Sequence, residues 1–267
     1  MREFKKVMSV FMVMMCVVAF GTALRAATID TKAYETRIED AWDRGDAKVF
    51  DQIIQELTPK VSDTDIDGLL ILASAYYRYS LFYDEMSNTS KQLWFEGPKL
   101  AGNEQYWDKG GELIDKALDL VKKADGIAKD SPKVLPHYSL ITFRKIRHCN
   151  MITAMPYMKG FLELSKKTLE VAGNNPVAVL SCAIMTLGRS PKMGGNPRNA
   201  YPLFKKAVEL DPNYAEAYFW FGRFYMSPDI KAQPKLALPC FEKAASLNPK
   251  SWLYQTTAEE FKKAFPQ

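Results

Sequence analysis

Residues of the kinds that most often carry out chemistry are sparse in this sequence. It has two histidines, His137 and His148, and neither stands in a His-Glu-x-x-His zinc-binding pattern. The glycine pairs at 110–111 and 194–195 lack the lysine of a phosphate-binding loop. A pair of catalytic carboxylates stays open as an alternative, because the 31 acidic residues offer many combinations. The sequence therefore favours a protein that is not an enzyme, and it predicts no catalytic residue, cofactor or metal.

The cysteines do not form a recognisable framework. Cys16 lies in an apolar run near the N-terminus, and Cys149, Cys182 and Cys240 are isolated from one another. Three cysteines allow at most one disulfide and leave at least one thiol over. Buried free thiols that pack as small apolar side chains are the favoured interpretation, and a single disulfide among the three remains open.

A run of aromatic residues is the strongest candidate for a binding surface. Tyrosine and tryptophan line ligand clefts because they combine apolar area with a polar tip. The same residues are also typical of the packing between helices, so both interpretations stay open. The residues that we predict to bind a ligand or a protein partner are Tyr79, Tyr83, Trp94 and Trp107.

The elements that would position such residues are indicated by an internal repeat. Two segments 37 residues apart carry the same residues at the same spacing. Ala, Phe and Ala at i, i+4 and i+7 share one helix face, where small residues let a neighbouring helix approach closely. The following proline ends each helix. The matching positions are Ala200, Phe204, Ala207 and Pro212 in the first copy, and Ala237, Phe241, Ala244 and Pro249 in the second.

The helix between these two copies adds the other half of the pattern. Tyr218, Phe221, Gly222 and Tyr225 stand at i, i+3, i+4 and i+7. Glycine costs about 1 kcal/mol in a helix relative to alanine, so Gly222 indicates a place where two helices cross closely. Taken together, the pattern resembles the tetratricopeptide repeat, with its clearest copies at 176–212 and 213–249. This resemblance implies an all-α fold in which antiparallel helix pairs stack into a compact α-solenoid.

Weaker copies of the pattern occur upstream. They predict helices over Leu69–Tyr83 and Tyr106–Leu120, separated by an irregular connection from Phe82 to Gln105. A later helix is expected to run to about Thr153. The sequence as a whole predicts about ten helices and almost no strand.

The N-terminus has the layout of a secretory signal. Arg2, Lys5 and Lys6 precede an apolar run over 7–20, which is followed by small residues. We expect a signal peptide at 1–26 and a single tetratricopeptide-like domain at 27–267, exported to the periplasm. Retention of the segment as an envelope anchor is the alternative. No later stretch is apolar for long enough to predict a membrane span after processing.

The charge of the chain does not favour a nucleic-acid partner. The formal net charge is only +5, and the positive residues do not form one large cluster. The densest basic run comprises Arg144, Lys145, Arg147 and His148, and we interpret it as a solvated helix face.

The segment Ser190–Asn199 reads Ser-Pro-Lys-Met-Gly-Gly-Asn-Pro-Arg-Asn and leads into the helix at Ala200. This turn is similar to a branch of tetratricopeptide-like proteins that includes the periplasmic T component of TRAP-type (tripartite, ATP-independent) transporters. In that family the helices enclose a pore or cleft. The resemblance implies a protein that accompanies a solute-binding subunit and handles a small, partly apolar solute.

The sequence thus supports three hypotheses of function. The first is a non-catalytic periplasmic binding or adaptor protein that acts through protein–protein interaction with a partner in the cell envelope. The second is an accessory of a TRAP-type transporter that handles a solute together with a solute-binding protein. The third is an enzyme with an unrecognised site.

Overall fold

The computed structural model describes residues 29–87, 104–189 and 195–266. Over these residues the chain is helical and has no strand, which confirms the predicted all-α class. None of the helices in these ranges combines the length and the hydropathy needed to cross a bilayer. The α-helices are α1 Thr31–Arg44, α2 Ala47–Leu57, α3 Ile66–Ser87, α4 Glu104–Ile127, α5 Leu135–Arg147, α6 Met151–Ala172, α7 Pro176–Gly188, α8 Tyr201–Leu210, α9 Ala215–Tyr225, α10 Pro234–Leu247 and α11 Trp252–Ala264.

The helices form two layers. Each helix packs against the next one along the chain, and the odd-numbered helices also pack against each other in the order α1, α3, α5, α7 and α9. The odd-numbered helices therefore form an inner layer and the even-numbered helices an outer one. The last inner helix, α11, packs against α1, so the inner layer returns to its starting point. The stacked pairs are the predicted α-solenoid.

Short polar residues set several helix starts. The side chains of Asp46, Asn150 and Asn175 accept hydrogen bonds from backbone N–H groups in the first turns of α2, α6 and α7. One predicted boundary is wrong for this reason. The helix expected to run to Thr153 ends at Arg147, because Asn150 caps a new helix there and binds the backbone N–H of Thr153.

Two predicted connections lie partly outside the described residues. The connection expected from Phe82 to Gln105 is helical at both ends, because α3 continues to Ser87 and α4 begins at Glu104. Trp94 falls between these helices, outside the described residues. In the turn that resembles the transporter component, the described part begins at Gly195, and the side chain of Asn196 caps a 3-10 helix over Pro197–Ala200.

The repeated alanine and phenylalanine positions lie in the core. Phe204 and Phe241 are fully buried, and the ring of Phe204 stacks on Phe221 with a centroid distance of 5.7 Å. The four repeat alanines are fully buried as well, so the outer helices α8 and α10 approach the inner layer closely. Pro212 and Pro249 are each the second residue after the end of one of these outer helices. The buried alanines are Ala200, Ala207, Ala237 and Ala244.

Gly222 on α9 faces the ring of Phe241 on α10. A Cβ atom added at Gly222 would lie 2.5 Å from Cε1 of that ring. We therefore expect Gly222→Ala to destabilise the fold by about 1–3 kcal/mol through overpacking. Gly126→Ala is the matched control, because a Cβ there meets no atom within 4 Å, and it should stabilise α4 by up to about 1 kcal/mol. Urea titrations followed by circular dichroism measure both effects, and equal midpoints for the two variants would contradict this packing.

Candidate functional site

The inner layer surrounds a central cavity of about 610 Å³. This volume lies within the range of pockets that hold small molecules, about 300–1,000 Å³. All six inner helices contribute lining residues. Its charged lining consists of Glu35, Glu39, Asp43, Arg78, Lys133 and Glu216, and its aromatic lining consists of Tyr77, Tyr214, Tyr254 and His137.

Arg78 on α3 is held between two carboxylates of the cavity. Its Nε donates to Oε1 of Glu39 at 3.0 Å, and its Nη1 and Nη2 donate to Glu216 at 3.0 and 2.8 Å. Its guanidinium also lies over the ring of Trp42, 5.5 Å from the centroid. The three charged side chains come from α3, α1 and α9, so this cluster connects distant parts of the chain across the cavity.

A second ion pair also joins α3 and α9, and here the acid is on α3 and the base on α9. Glu85 on α3 accepts from Arg223 on α9 at 2.9 and 3.1 Å, and both side chains are buried. In the first pair α3 supplies the arginine and α9 the glutamate, and in the second pair these roles are exchanged. Glu85 lies seven residues after Arg78 on α3, and Arg223 lies seven residues after Glu216 on α9. Equal steps on the two helices require α3 and α9 to run parallel in a fixed register. We call these two pairs the α3–α9 ladder.

The environment changes the pKa values of the two carboxylates that bind Arg78. Glu39 is 52% exposed to the space of the cavity, but partial desolvation by the surrounding helices still raises its pKa, and the charge of Arg78 offsets only part of this effect. Burial acts on Glu216 in the same direction, but the charge and hydrogen bonds of Arg78 outweigh it and lower the pKa of Glu216. Glu39 is thus the carboxylate whose ionised form is the less well compensated.

The first and last inner helices are tied together at the edge of the cavity. Nδ2 of Asn248, the residue that follows α10 and leads toward α11, lies 2.9 Å from both carboxylate oxygens of Asp43. Nε1 of Trp252 donates to the carbonyl oxygen of Trp42 at 3.1 Å. Burial raises the pKa of Asp43, and the hydrogen bond from the neutral amide of Asn248 offsets only part of this rise. These bonds link residues about 200 positions apart in the sequence and hold α1 against α11.

A serine and a histidine meet in the cavity. Oγ of Ser74 lies 3.4 Å from Nδ1 of His137, and burial together with the charge of Lys133 lowers the pKa of His137 to about 4. A general base works best when its pKa is close to the operating pH. His137 is neutral and weakly basic at neutral pH, so this pair suits a hydrogen-bonding contact with a ligand better than proton transfer.

The low pKa of His137 predicts a pH effect on stability. Its folded-state pKa of about 4 lies below its ordinary value of 6.5, so the unfolded chain binds the proton first as the pH falls. Stability from this group is complete above pH 6.5 and is lost between pH 6.5 and 4. Relative to His137→Gln, the wild type should lose up to about 1.4 kcal/mol per pH unit in that window. Urea unfolding at several pH values measures the difference, and parallel curves for the two proteins would contradict it.

The basic run around His148 is not a solvated face, which corrects the sequence interpretation. Arg144 is buried and forms an ion pair with Asp84, and Nε2 of His148 lies 3.1 Å from the same carboxylate. Arg147 is partly buried nearby. The run looked exposed because the acid that balances it, Asp84, stands far away in the sequence on α3.

The predicted binding aromatics that lie within the described residues are absent from the cavity lining and pack instead against α2, α4 and His148. Tyr79 is buried, stacks on Phe50 at 5.1 Å and donates to Asp51 at 3.1 Å. Tyr83 lies between Tyr79 and Tyr106, and Trp107 lies on the ring of His148 with a centroid distance of 4.2 Å. A role for these residues and for Trp94 in binding stays a prediction.

The thiols and the metal-binding residue types suggest no further chemistry. Cys149, Cys182 and Cys240 are free, and burial raises the pKa of Cys182 to about 11 and that of Cys240 to about 12. Such thiols are poor nucleophiles at neutral pH. No group of three histidine, cysteine or acidic side chains suited to a metal ion occurs within the described ranges.

Comparison with known proteins identifies one segment of this scaffold. The family described as tetratricopeptide repeat matches residues 203–237, which run from α8 into α10 and include Phe204 and Gly222. This segment is similar to a tetratricopeptide repeat. Repeats of this family in general support protein–protein interaction.

Among solved structures, the chain is similar to YrrB, described as a TPR protein with an unusual peptide-binding site. The identity is 14%, the TM-score is 0.39, and the similarity covers 86% of this chain and 99% of YrrB. No curated protein sequence matches this chain.

Proposed function

We propose that this protein is a non-catalytic, exported binding protein of tetratricopeptide type that holds a small, partly apolar solute in its central cavity. The observation that carries the proposal is a cavity of about 610 Å³ lined by every inner helix. Apolar side chains such as Ile71, Leu140 and Ile184 share this lining with ion pairs and hydrogen-bonding groups. A cavity with this mixture suits a small amphipathic molecule.

The contact between α1 and α11 supports a solute as the occupant. An open tetratricopeptide array leaves a long concave groove that can hold an extended peptide. Here Trp252 on α11 binds the backbone of Trp42 on α1 and joins the two ends of the inner layer, and the α3–α9 ladder connects two further inner helices. A small molecule fits the remaining space better than an extended chain does.

Export and a partner in the cell envelope complete the proposal. The positive, apolar and small-residue order at 1–26 favours secretion. The turn at Ser190–Asn199 favours a role beside the solute-binding protein of a TRAP-type transporter. The second candidate function, an adaptor for another protein, is supported by exposed apolar side chains on the outer helix α6, where Ile152 is 83% exposed and Met155 and Leu162 are about half exposed.

One purification tests both candidate functions. The full chain, expressed in its own host with a C-terminal tag, would be isolated from the envelope fraction together with bound proteins and solutes. Ile152→Asp tests the outer surface, and Leu236→Asp on α10 is the matched control because it replaces a half-exposed leucine. Recovery of a bound solute in all three proteins supports the cavity function. Loss of one specific protein from Ile152→Asp alone, with no solute in any sample, would favour the adaptor instead.

N-terminal sequencing of the same material tests export, and an intact Met1 on a cytoplasmic protein would contradict it.

A further inference from the structure

The central cavity has an acidic wall and an apolar wall. Glu35, Glu39 and Asp43 stand at i, i+4 and i+8 on α1, so they share the face of that helix that lines the cavity. The inner helix three positions further around the layer, α7, contributes the apolar residues Val177, Leu180 and Ile184. A ligand in this space can meet carboxylates from α1 and hydrocarbon from α7.

Acids outnumber bases in the lining. Among the described residues of the lining, the four carboxylates of Glu35, Glu39, Asp43 and Glu216 stand against the positive charges of Arg78 and Lys133. Arg78 serves Glu39 and Glu216 together, and Lys133 is paired with Asp67. The part of the lining that the structure describes therefore carries more negative than positive charge before a ligand enters.

An added cation would stabilise the ionised forms of the carboxylates on α1. Asp43 is buried and accepts from the neutral amide of Asn248, and Glu39 shares the guanidinium of Arg78 with Glu216. Desolvation raises the pKa of both Asp43 and Glu39, although Glu39 is half-exposed. A positive group within about 4–6 Å favours the ionised form of a carboxylate, and this effect is stronger in a partly buried site than in water. Tyr77 and Tyr214 also belong to the lining, and an aromatic ring near a bound cation adds cation–π attraction.

We propose that the cavity binds a small organic monocation, with its ammonium group against Glu39 and Asp43 and its hydrocarbon body against the apolar residues of α7. The proposal deepens the proposed function and rests on it. It names the solute class as an amphipathic amine, and it disfavours a carboxylate solute, whose charge would meet the acidic wall of α1.

Three probes with six carbon atoms each separate charge from apolar packing. Hexylammonium chloride, 1-hexanol and sodium hexanoate would be titrated into the full chain by isothermal calorimetry. We expect hexylammonium to bind at least about tenfold more tightly than hexanol, because a charge-assisted hydrogen bond adds to the same apolar contact, and hexanoate to bind most weakly. Glu39→Gln should weaken hexylammonium by about tenfold and leave hexanol unchanged.

Matched variants keep this test interpretable. Glu56→Gln is the control for Glu39→Gln, since Glu56 also binds an arginine, Arg37, but on the outer surface, and it should leave hexylammonium binding unchanged. Thermal melts establish that each variant is folded, and Asp43→Asn replaces Glu39→Gln if the latter does not fold.

The outcomes distinguish the charge inference from the cavity function. Equal binding of hexanol and hexylammonium, both abolished by filling the cavity with Ala215→Trp, would overturn the preference for a cation and leave the cavity function standing. Tightest binding of hexanoate would overturn it as well. Binding that Ala215→Trp does not weaken would place the ligand elsewhere, and no binding of any probe at about 10 mM would contradict both ideas.

Discussion

Replacement of Arg78 by methionine is expected to destabilise the protein by about 3 kcal/mol. The substitution keeps the apolar stem but removes the guanidinium that binds Glu39 and Glu216, both of which then face each other without their counter-charge. Removal of one partner from a buried ion pair typically costs about 3–5 kcal/mol. The lower end applies here because the side chain of Glu39 is 52% exposed and can be solvated within the cavity.

Arg37→Met is the matched control for this measurement. Arg37 also binds a glutamate through two nitrogens, at 2.6 and 2.9 Å from Glu56, but both side chains are about 40% exposed. Exposed pairs of this kind contribute less than about 1 kcal/mol. Urea titration of both variants tests the comparison. A loss for Arg78→Met no larger than that for Arg37→Met would mean that the link between α1, α3 and α9 does not hold the inner layer together.

Replacement of Phe241 by alanine is expected to cost about 3–5 kcal/mol, the usual range for removing a buried phenylalanine. Phe241 is fully buried, lies against Gly222 and contacts the rings of Phe219 and Phe261 at 6.0 and 5.1 Å. It therefore joins α9, α10 and α11 in one cluster. The cavity left by the ring cannot close easily, because rigid helices surround it.

Leu236→Ala provides the control on the same helix. Its side chain is 48% exposed, so truncation should change the stability by no more than about 0.5 kcal/mol. Thermal and urea unfolding of the two variants would be compared under identical conditions. A small loss for Phe241→Ala would show that the repeat register assigned to α9 and α10 is incorrect.

The repeat region could be predicted from the sequence because its signals are local. Ala237, Phe241 and Ala244 lie on one face of one helix, and Pro249 ends that helix, so spacing alone indicates the structure. The boundary near Thr153 failed for a local reason too. The capping role of Asn150 competes with the continuing helical pattern, and the apolar periodicity on both sides conceals the break.

The cavity could not be predicted because its residues are far apart in the sequence. Arg78 binds Glu216 across 138 positions, and Asp43 binds Asn248 across 205 positions. One signal was nevertheless present. Arg78 is the only charged residue in the stretch 68–83, which is otherwise dominated by apolar and aromatic side chains, and a charge in such a helix requires a partner when buried.

The aromatic residues that we predicted to bind a ligand show that residue type alone does not identify a binding surface. Tyr79 and Tyr83 share one face of α3, as the spacing indicates, but that face packs on α2 and α4. Tyr77, two positions from Tyr79, lines the cavity instead. Helical spacing groups residues on a face correctly, whereas the choice between the inner and outer face depends on which helices pack there.

Native mass spectrometry of the protein purified from its own envelope tests the central claim, that the cavity holds a solute, most directly. The wild type would be compared with Ala215→Trp, which places an indole in the cavity, and with Ala264→Trp, which places one on the exposed end of α11. The claim predicts one additional small-molecule mass on the wild type and on Ala264→Trp, and its loss from Ala215→Trp. The same bound mass on all three proteins, or none on any of them, would contradict it.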